Sequence, residues 1–142
     1  MTLLIVLVGI AALWWVVTKG AQSPMGRIGE WAKAIAEFED FYNPGSVARQ
    51  NNNPGNLKDP ATNEFRVFAN VEAGWLALQQ DLRAKVGKYP DYTLLQIMTR
   101  YLGGNVAAPA VTGEGNPFTY AKFIAQKLGV SMEQTLASIF GG

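Results

Sequence analysis

The chain opens with an uninterrupted apolar run over residues 3–17 (LLIVLVGIAALWWVV). With the residues before it, this run is about as long as the shortest helices that cross a bilayer. Trp14 and Trp15 lie near its end and Lys19 follows as the first charge, an order typical of a membrane interface. We therefore predict a transmembrane anchor over residues 1–18, with a lipid membrane as the partner of residues 3–17.

A cleaved signal peptide and a buried core helix are the alternatives for this run. No basic segment precedes it and no clear small-residue cleavage site ends it, which favours an uncleaved anchor. Residues 19–26 (KGAQSPMG) have the composition of a flexible linker to a domain over residues 27–142. Lys19, Arg27 and Lys33 all follow the anchor, and this charge bias favours a cytoplasmic domain at insertion.

Within this domain, apolar residues recur at helical spacing in five segments. The predicted helices cover 27–42, 71–86, 93–101, 116–129 and 131–140. Residues 47–63 are rich in Asn, Gly and Pro and predict a loop, while 64–70 could be a short strand or an extended lead-in. The expected fold is mainly α, a compact helical domain with a short or vestigial β-hairpin, preceded by the transmembrane helix.

Cysteine and histidine do not occur in the chain. Their absence excludes disulfides, thiol nucleophiles, Cys/His zinc sites and catalytic triads with an imidazole base. Acid–base chemistry would fall to carboxylates, and we expect no cofactor and no metal. The net charge of +1 comes from 12 basic and 11 acidic residues mixed along the chain. Since no basic stripe is present, nucleic acid is not an expected partner.

The first predicted helix indicates which carboxylate points inward. A step of about 100° per residue gathers its apolar side chains on one face around Ile35. The other members of this face are Ile28, Trp31, Ala32, Phe38 and Tyr42. Glu39 lies about 40° from the centre of the face. The remaining carboxylates of the helix point the opposite way, namely Glu30, Glu37 and Asp40.

A carboxylic acid packed against aromatic rings loses hydration, which raises its pKa towards the range useful for a general acid. Glycoside cleavage needs such a proton donor, as in lysozyme, whose acid is a glutamate in an apolar pocket. Glu39 fits this role, and the alternative is an ordinary ion pair or a solvated position at the helix end. Glu72 falls in the first turn of a helix, where a negative charge suits the dipole, although it could face a cleft. Asp81 reads as a surface position.

Three segments then carry a resemblance: AIAEFEDF at 34–41, ARQNNNPGNLK at 48–58 and FANVEAGWLAL at 68–78. They resemble a phage group of lysozyme-like proteins, the virion-associated lytic transglycosylases found in internal-membrane phages. The likeness continues more weakly to about residue 131, and NNNPGN is its most specific part. The chain departs from the pattern at Asp40, where glycine is common, and in a longer insert (NVAAPAVTGEG) before Asn116.

The resemblance implies a lysozyme-like fold and cleavage of peptidoglycan glycan strands at the β-1,4 bond between N-acetylmuramic acid and N-acetylglucosamine. The muramic 6-hydroxyl would attack within the strand and leave a 1,6-anhydro end. Glu39 would be the catalytic residue, first as the acid and then as the base. No metal and no cofactor enter this scheme.

Five further residues are candidates for substrate binding around the catalytic glutamate. Asn53 and Asn56 could hydrogen-bond to sugar hydroxyls or acetamides, or could hold the backbone of their own loop. Tyr101 and Tyr120 could orient the glutamate or stack on a sugar, or could belong to the core. Glu72 is the fifth, through its possible place at the cleft.

An anchor fused to a wall-cutting domain suits a protein of the virion internal membrane and the host membrane, which opens the wall locally for genome delivery. Other virion proteins are then candidate partners. The nearest rival is a hydrolytic muramidase of the same fold, with Glu72 as a second carboxylate brought close by folding. A non-catalytic structural or peptidoglycan-binding membrane protein is another rival. A bacterial wall-remodelling enzyme is the alternative to a phage origin.

Overall fold

The structure is a computed structural model that describes residues 24–108 and 116–141. The predicted anchor, residues 1–18, lies outside this part of the chain. Within the described ranges, no helix combines the length and the apolar character that crossing a bilayer requires. Even the longest, Val71–Lys88, carries five charged side chains among its 18 residues. The predictions of a transmembrane helix in the fold and of a single-pass membrane protein are corrected accordingly.

Six helices make up most of the described residues. They are α1 (Pro24–Phe38), α2 (Val47–Gln50), α3 (Val71–Lys88), α4 (Leu94–Tyr101), α5 (Pro117–Leu128) and α6 (Leu136–Phe140). Strand pairing in these residues is limited to two isolated antiparallel bridges, Lys58 with Phe65 and Thr93 with Thr135. The architecture is therefore mainly α, with a vestigial hairpin (residues 57–66) around the first bridge.

Helix α1 lies among the others and packs against α3, α5 and α6, while α5 also packs against α4. Its buried face is the predicted one, since Ile28, Trp31 and Ile35 are at most 4% exposed. The Trp31 ring stacks on Phe140 of α6 with the ring centroids 4.7 Å apart. Burial of each such side chain contributes roughly 1.5–3 kcal/mol. This face therefore sets the position of α1 against the other helices.

Helix α1 ends at Phe38, before the predicted end at Tyr42. The Phe41 amide donates to the Ala36 carbonyl (2.9 Å), as in a Schellman motif. This motif needs a left-handed residue, and Asp40 supplies it with a φ of +59°. Asp, Asn and Gly tolerate this conformation best, so an aspartate suits this turn. The turn buries Phe41 and leaves Tyr42 59% exposed, so the prediction that Tyr42 joins the buried face is wrong.

The segment 47–63, predicted as a loop throughout, contains helix α2 ahead of the NNNPGN loop, residues 51–56. Asn52 closes α2 with a left-handed φ of +51°. The Asn53 amide donates to the Ala48 carbonyl (2.9 Å), which makes this end a second Schellman motif. Asn56 is left-handed as well, with a φ of +47°. Two of the four asparagines thus set the turns of the NNNPGN loop.

Helix α6 begins at Leu136, later than the predicted start at Ser131. The Ser131 amide donates to Gln134 Oε1 (2.9 Å), but this contact closes a turn and does not begin the helix. Thr135 caps the helix instead, since its side chain accepts the Ser138 amide. Its bridge to Thr93 ties the start of α6 to the start of α4. A tertiary contact, which the local pattern does not contain, therefore selects the cap.

Helix α3 meets the NNNPGN loop at Gly74. A Cβ atom built on Gly74 would lie 1.8 Å from the Asn52 carbonyl oxygen and 2.9 Å from Pro54. A glycine inside a helix costs about 1 kcal/mol relative to alanine. Here the missing side chain is what allows the two backbones to approach so closely. Gly74 therefore brings the NNNPGN loop, and the asparagines that it carries, against α3.

We predict that Gly74→Ala destabilises the protein by at least about 2 kcal/mol, because the added methyl group must displace backbone atoms of the loop. Gly87→Ala is the matched control in the same helix, since nothing lies within 4 Å of a Cβ built there. It should stabilise the protein by about 0.5 kcal/mol through helix propensity. Urea unfolding measures both values, and a Gly74→Ala variant as stable as Gly87→Ala would contradict the close approach.

Candidate active site

Glu39 follows directly after α1, and its side chain is half-buried. The Tyr120 hydroxyl donates to Glu39 Oε1 and the Asn56 side-chain amide donates to Oε2, each at 2.8 Å. In the part of the chain that the structure describes, no lysine or arginine forms an ion pair with Glu39. The alternative of an ordinary ion pair is thus not what the structure has. Neutral donors hold both oxygens of this carboxylate.

Tyr120 lies on α5, one turn after Asn116, which caps the start of this helix. Its side chain is 1% exposed, and its ring stacks on Phe38, the last residue of α1, with the centroids 3.9 Å apart. The two roles weighed from the sequence, core residue and orienting group for Glu39, therefore apply together. Ring packing fixes the side chain, and the hydroxyl at its end reaches the carboxylate.

Asn53 is fully buried, and it holds the backbone of its own region. Its amide nitrogen donates to the carbonyls of Leu57 and Arg66, and its oxygen accepts the Leu57 amide, all at 2.9 Å. These contacts tie the NNNPGN loop to both arms of the hairpin. With no exposed surface, Asn53 cannot reach a ligand, so its prediction as a substrate-binding residue is corrected to the structural alternative.

Asn56 and Tyr101 both line the cleft beside Glu39. The Tyr101 hydroxyl donates to the Gly55 carbonyl, which lies next to Asn56 in the chain. A Cβ on Gly55 would meet both Leu78, at 2.6 Å, and the Tyr101 hydroxyl, at 2.8 Å. Tyr101 therefore fixes the loop backbone from which Asn56 reaches the carboxylate. The Tyr101 and Tyr120 rings also pack edge to face, with their centroids 6.1 Å apart.

The cleft at Glu39 has a volume of about 500 Å³. One wall comes from the end of the NNNPGN loop and the hairpin, with Asn56, Leu57, Lys58, Pro60, Asn63 and Phe65. The other wall comes from α3 and the end of α4, with Asp81, Lys85, Arg100, Tyr101, Leu102 and Gly103. Pockets for small ligands commonly measure about 300–1,000 Å³. The cleft therefore has room for a sugar-sized group beside the carboxylate.

The second carboxylate of the cleft is Asp81, which the sequence analysis assigned to the surface. Its side chain is ion-paired with Lys85 at 2.5 Å, one helical turn further along α3. Glu72, the predicted candidate, is exposed in the first turn of α3 and does not line the cleft. One feature of the sequence could have pointed to Asp81. Asp81 and Lys85 are four residues apart, a spacing that pairs opposite charges on one flank of a helix, here beside the buried Leu78 and Leu82.

We compared the chain with models of protein families, with curated proteins and with solved structures. No match was found. The site must therefore be interpreted from its own geometry and from the residues quoted above. In the described ranges, no group of three or more carboxylates is placed to hold a metal ion.

The arrangement suits transfer of a single proton. A carboxyl group that faces a cleft can give a proton to a bound oxygen atom, and the carboxylate that remains can take one back. The Tyr120 hydroxyl and the Asn56 amide stabilise that carboxylate by hydrogen bonds and fix its direction. Their neutrality leaves the proton free to move without breaking an ion pair.

The two tyrosines remain protonated over a wide range of pH. Burial raises the pKa of the Tyr120 hydroxyl, and its neighbours Tyr101 and Glu39 raise it further. Burial likewise raises the pKa of Tyr101, with added contributions from the charges of Glu39 and Asp81. Both hydroxyls therefore stay hydrogen-bond donors at neutral and mildly alkaline pH. The hydrogen bond from Tyr120 to Glu39 is available throughout this range.

We predict that the protein loses stability above about pH 10, where tyrosines of the unfolded chain ionise. The folded pKa values of Tyr101 and Tyr120 are raised, so raising the pH above that point favours the unfolded state. The loss should be about 1.4 kcal/mol per pH unit for each of the two tyrosines. Urea unfolding as a function of pH measures it. Tyr101→Phe and Tyr120→Phe should each reduce the slope, and unchanged slopes in both would contradict the assignment.

Proposed function

We propose that this chain is a peptidoglycan lytic transglycosylase with a lysozyme-like fold. It cleaves the β-1,4 bond between N-acetylmuramic acid and N-acetylglucosamine and leaves 1,6-anhydromuramic ends. The observation that carries the proposal is the Glu39 carboxylate at the cleft, held by two neutral donors. The resemblance of the three quoted segments to virion-associated lytic transglycosylases supports peptidoglycan as the substrate and local wall opening for genome delivery as the role.

The reaction needs one carboxyl group in two protonation states. Glu39 donates its proton to the glycosidic oxygen as the bond between that oxygen and the muramic C1 breaks. The muramic 6-hydroxyl oxygen then bonds to C1, and its proton passes to the Glu39 carboxylate. This step closes the anhydro ring and restores the acid, so no water is consumed. The single free carboxylate of the cleft fits this scheme.

Asn56 and Tyr120 are positioning residues in this mechanism. They aim the two oxygens of Glu39 from opposite parts of the chain and stabilise the carboxylate that forms after proton donation. Tyr101 acts indirectly, because its hydroxyl holds the Gly55 carbonyl, which precedes Asn56 in the chain. Each of these side chains is neutral, so none of them forms an ion pair with Glu39.

Hydrolysis by the same site is the second candidate function, and Asp81 is the observation that favours it. Asp81 lines the same cleft as Glu39 and could orient a water molecule for attack on C1. Its ion pair with Lys85 argues against that role, because the ammonium group occupies an oxygen of Asp81, at 2.5 Å, that would otherwise be available to a water molecule. The anhydro product is lighter than the hydrolysis product by one water, so mass spectrometry separates the two reactions.

We predict that the chain releases anhydro-muropeptides from purified sacculi and that Glu39→Gln lowers the rate by at least about 100-fold, since glutamine cannot donate the proton. The matched control is Glu37→Gln, two residues earlier in the last turn of α1, where the exposed Glu37 pairs with Lys127 on the surface (2.8 Å). This control should keep the activity. Mass spectrometry of the soluble fragments, with time, measures both rates.

The outcomes of this experiment discriminate among the proposed reaction and its rivals. Hydrated fragments from the unaltered chain would replace the transglycosylase with a muramidase. If a folded protein bound sacculi and released no fragments, the non-catalytic binding function would be correct and the proposal wrong. Equal activity in Glu39→Gln and Glu37→Gln would remove Glu39 from the reaction.

A second prediction concerns Tyr120, which donates one of the two hydrogen bonds to Glu39. Tyr120→Phe keeps the ring and its stacking on Phe38, so the fold should persist. Loss of one hydrogen bond to a charged group is worth about 1.5 kcal/mol, which predicts a fall in kcat of about tenfold with little change in KM. Tyr92→Phe, outside the cleft lining, is the matched control. An unchanged kcat in Tyr120→Phe would argue against its positioning role.

A further inference from the structure

The cleft beside Glu39 carries more positive than negative side chains. Lys58, Lys85 and Arg100 line it together with the two carboxylates, Glu39 and Asp81. Lys85 is bonded to Asp81 at 2.5 Å, and this pair largely cancels its own charge. Lys58 and Arg100 remain as cations without a carboxylate partner in the described ranges.

Aromatic rings hold these two cations in place. The Lys58 ammonium lies 5.3 Å from the centre of the Phe65 ring, on the hairpin. The Arg100 guanidinium lies 4.6 Å from the centre of the Tyr89 ring, at the end of α3. A ring face attracts a cation but takes up none of its directed N–H donors. Both side chains therefore keep hydrogen-bond donors available to a ligand in the cleft.

Three cations and two carboxylates line the cleft, which gives it a net charge of +1. The whole chain has 12 basic and 11 acidic residues, a net charge of only +1. The two cations of the cleft that have no carboxylate partner in the described ranges lie on separate elements, the hairpin and α4. Two cations that flank one cleft favour a ligand that carries an anionic group over a ligand that is neutral.

We propose that Lys58 and Arg100 bind a carboxylate carried by the glycan strand, so that the cleft selects anionic strands over neutral glycans of the same length. In peptidoglycan this carboxylate belongs to the stem peptide or, where no peptide is attached, to the lactyl group of muramic acid. The inference rests on the proposed function and specifies the substrate form that the site takes. Glu39 must approach the strand while it gains or loses a negative charge, and cations at the walls offset the repulsion between the two carboxylates.

The test measures binding separately from cleavage. The full chain carrying Glu39→Gln, which cannot complete the reaction, is titrated calorimetrically with three soluble oligosaccharides of equal length. They are glycan strands with stem peptides, the same strands after an amidase has removed the peptides, and chitin oligomers, which carry no carboxylate. We expect at least one of the two anionic strands to bind about fivefold more tightly than chitin, with the difference shrinking at high salt.

The charge variant is Lys58→Gln with Arg100→Gln, added to the same background. It should abolish the preference for anionic strands and leave chitin binding unchanged. Lys33→Gln with Lys122→Gln is the matched control, because it removes the same charge from exposed residues that do not line the cleft. This control should keep the preference. Thermal unfolding of each variant checks that the fold is retained.

Each outcome bears on one proposal at a time. Tighter binding of the peptide-bearing strands alone assigns the contact to the stem peptide, and tighter binding of the amidase-treated strands alone assigns it to the lactyl carboxylate that the amidase frees. Equal tightness of both anionic strands shows that the two cations accept a carboxylate from either source. Equal affinity for all three oligosaccharides, or a preference that survives Lys58→Gln with Arg100→Gln, overturns the inference. Cleavage of sacculi by the unaltered chain without such a preference leaves the proposed function intact. Preferential binding without any cleavage overturns the proposed function and keeps the carboxylate contact.

Discussion

Two hydrogen bonds to one carboxylate connect the end of α1, the NNNPGN loop and α5. Glu39 at the end of α1 accepts one from Asn56 in the NNNPGN loop and one from Tyr120 on α5. A carboxylate taken partly out of water is costly unless such donors replace its hydration. The helix end, the loop and α5 must therefore keep their relative positions, and the surrounding packing is arranged around that requirement.

The loop meets this requirement through backbone geometry. Asparagine in the left-handed conformation makes the turns at Asn52 and Asn56, and buried Asn53 ties the loop to the hairpin. Gly74 then allows α3 to touch the loop backbone, and Tyr101 fixes the Gly55 carbonyl from α4. A loop built from polar residues is in this way held as firmly as a core element. Such rigidity is what a site needs if one side chain is to meet a carboxylate at hydrogen-bonding distance.

The cleft combines a proton-transferring group with an uneven distribution of charge. Glu39 has neutral partners, Asp81 is satisfied by Lys85, and Lys58 and Arg100 rest on aromatic rings. These partners leave two kinds of group available to a ligand, the carboxyl group of Glu39 and the N–H donors of Lys58 and Arg100 at the two walls. This separation is the physical basis on which we propose both glycan cleavage and selection of anionic strands.

Local sequence was enough to predict the mainly α fold, the buried face of α1 around Trp31 and Ile35, and the inward direction of Glu39. These features follow from helical periodicity and capping, which involve residues a few positions apart. It was not enough for the end of α1, the cap of α6 or the roles of the asparagines. Asp40, Thr135 and Asn53 owe their roles to backbone turns and to contacts between distant segments. Tertiary structure also brought Asp81 into the cleft and left Glu72 outside it, because the direction of a residue on the flank of a helix depends on which element packs beside it.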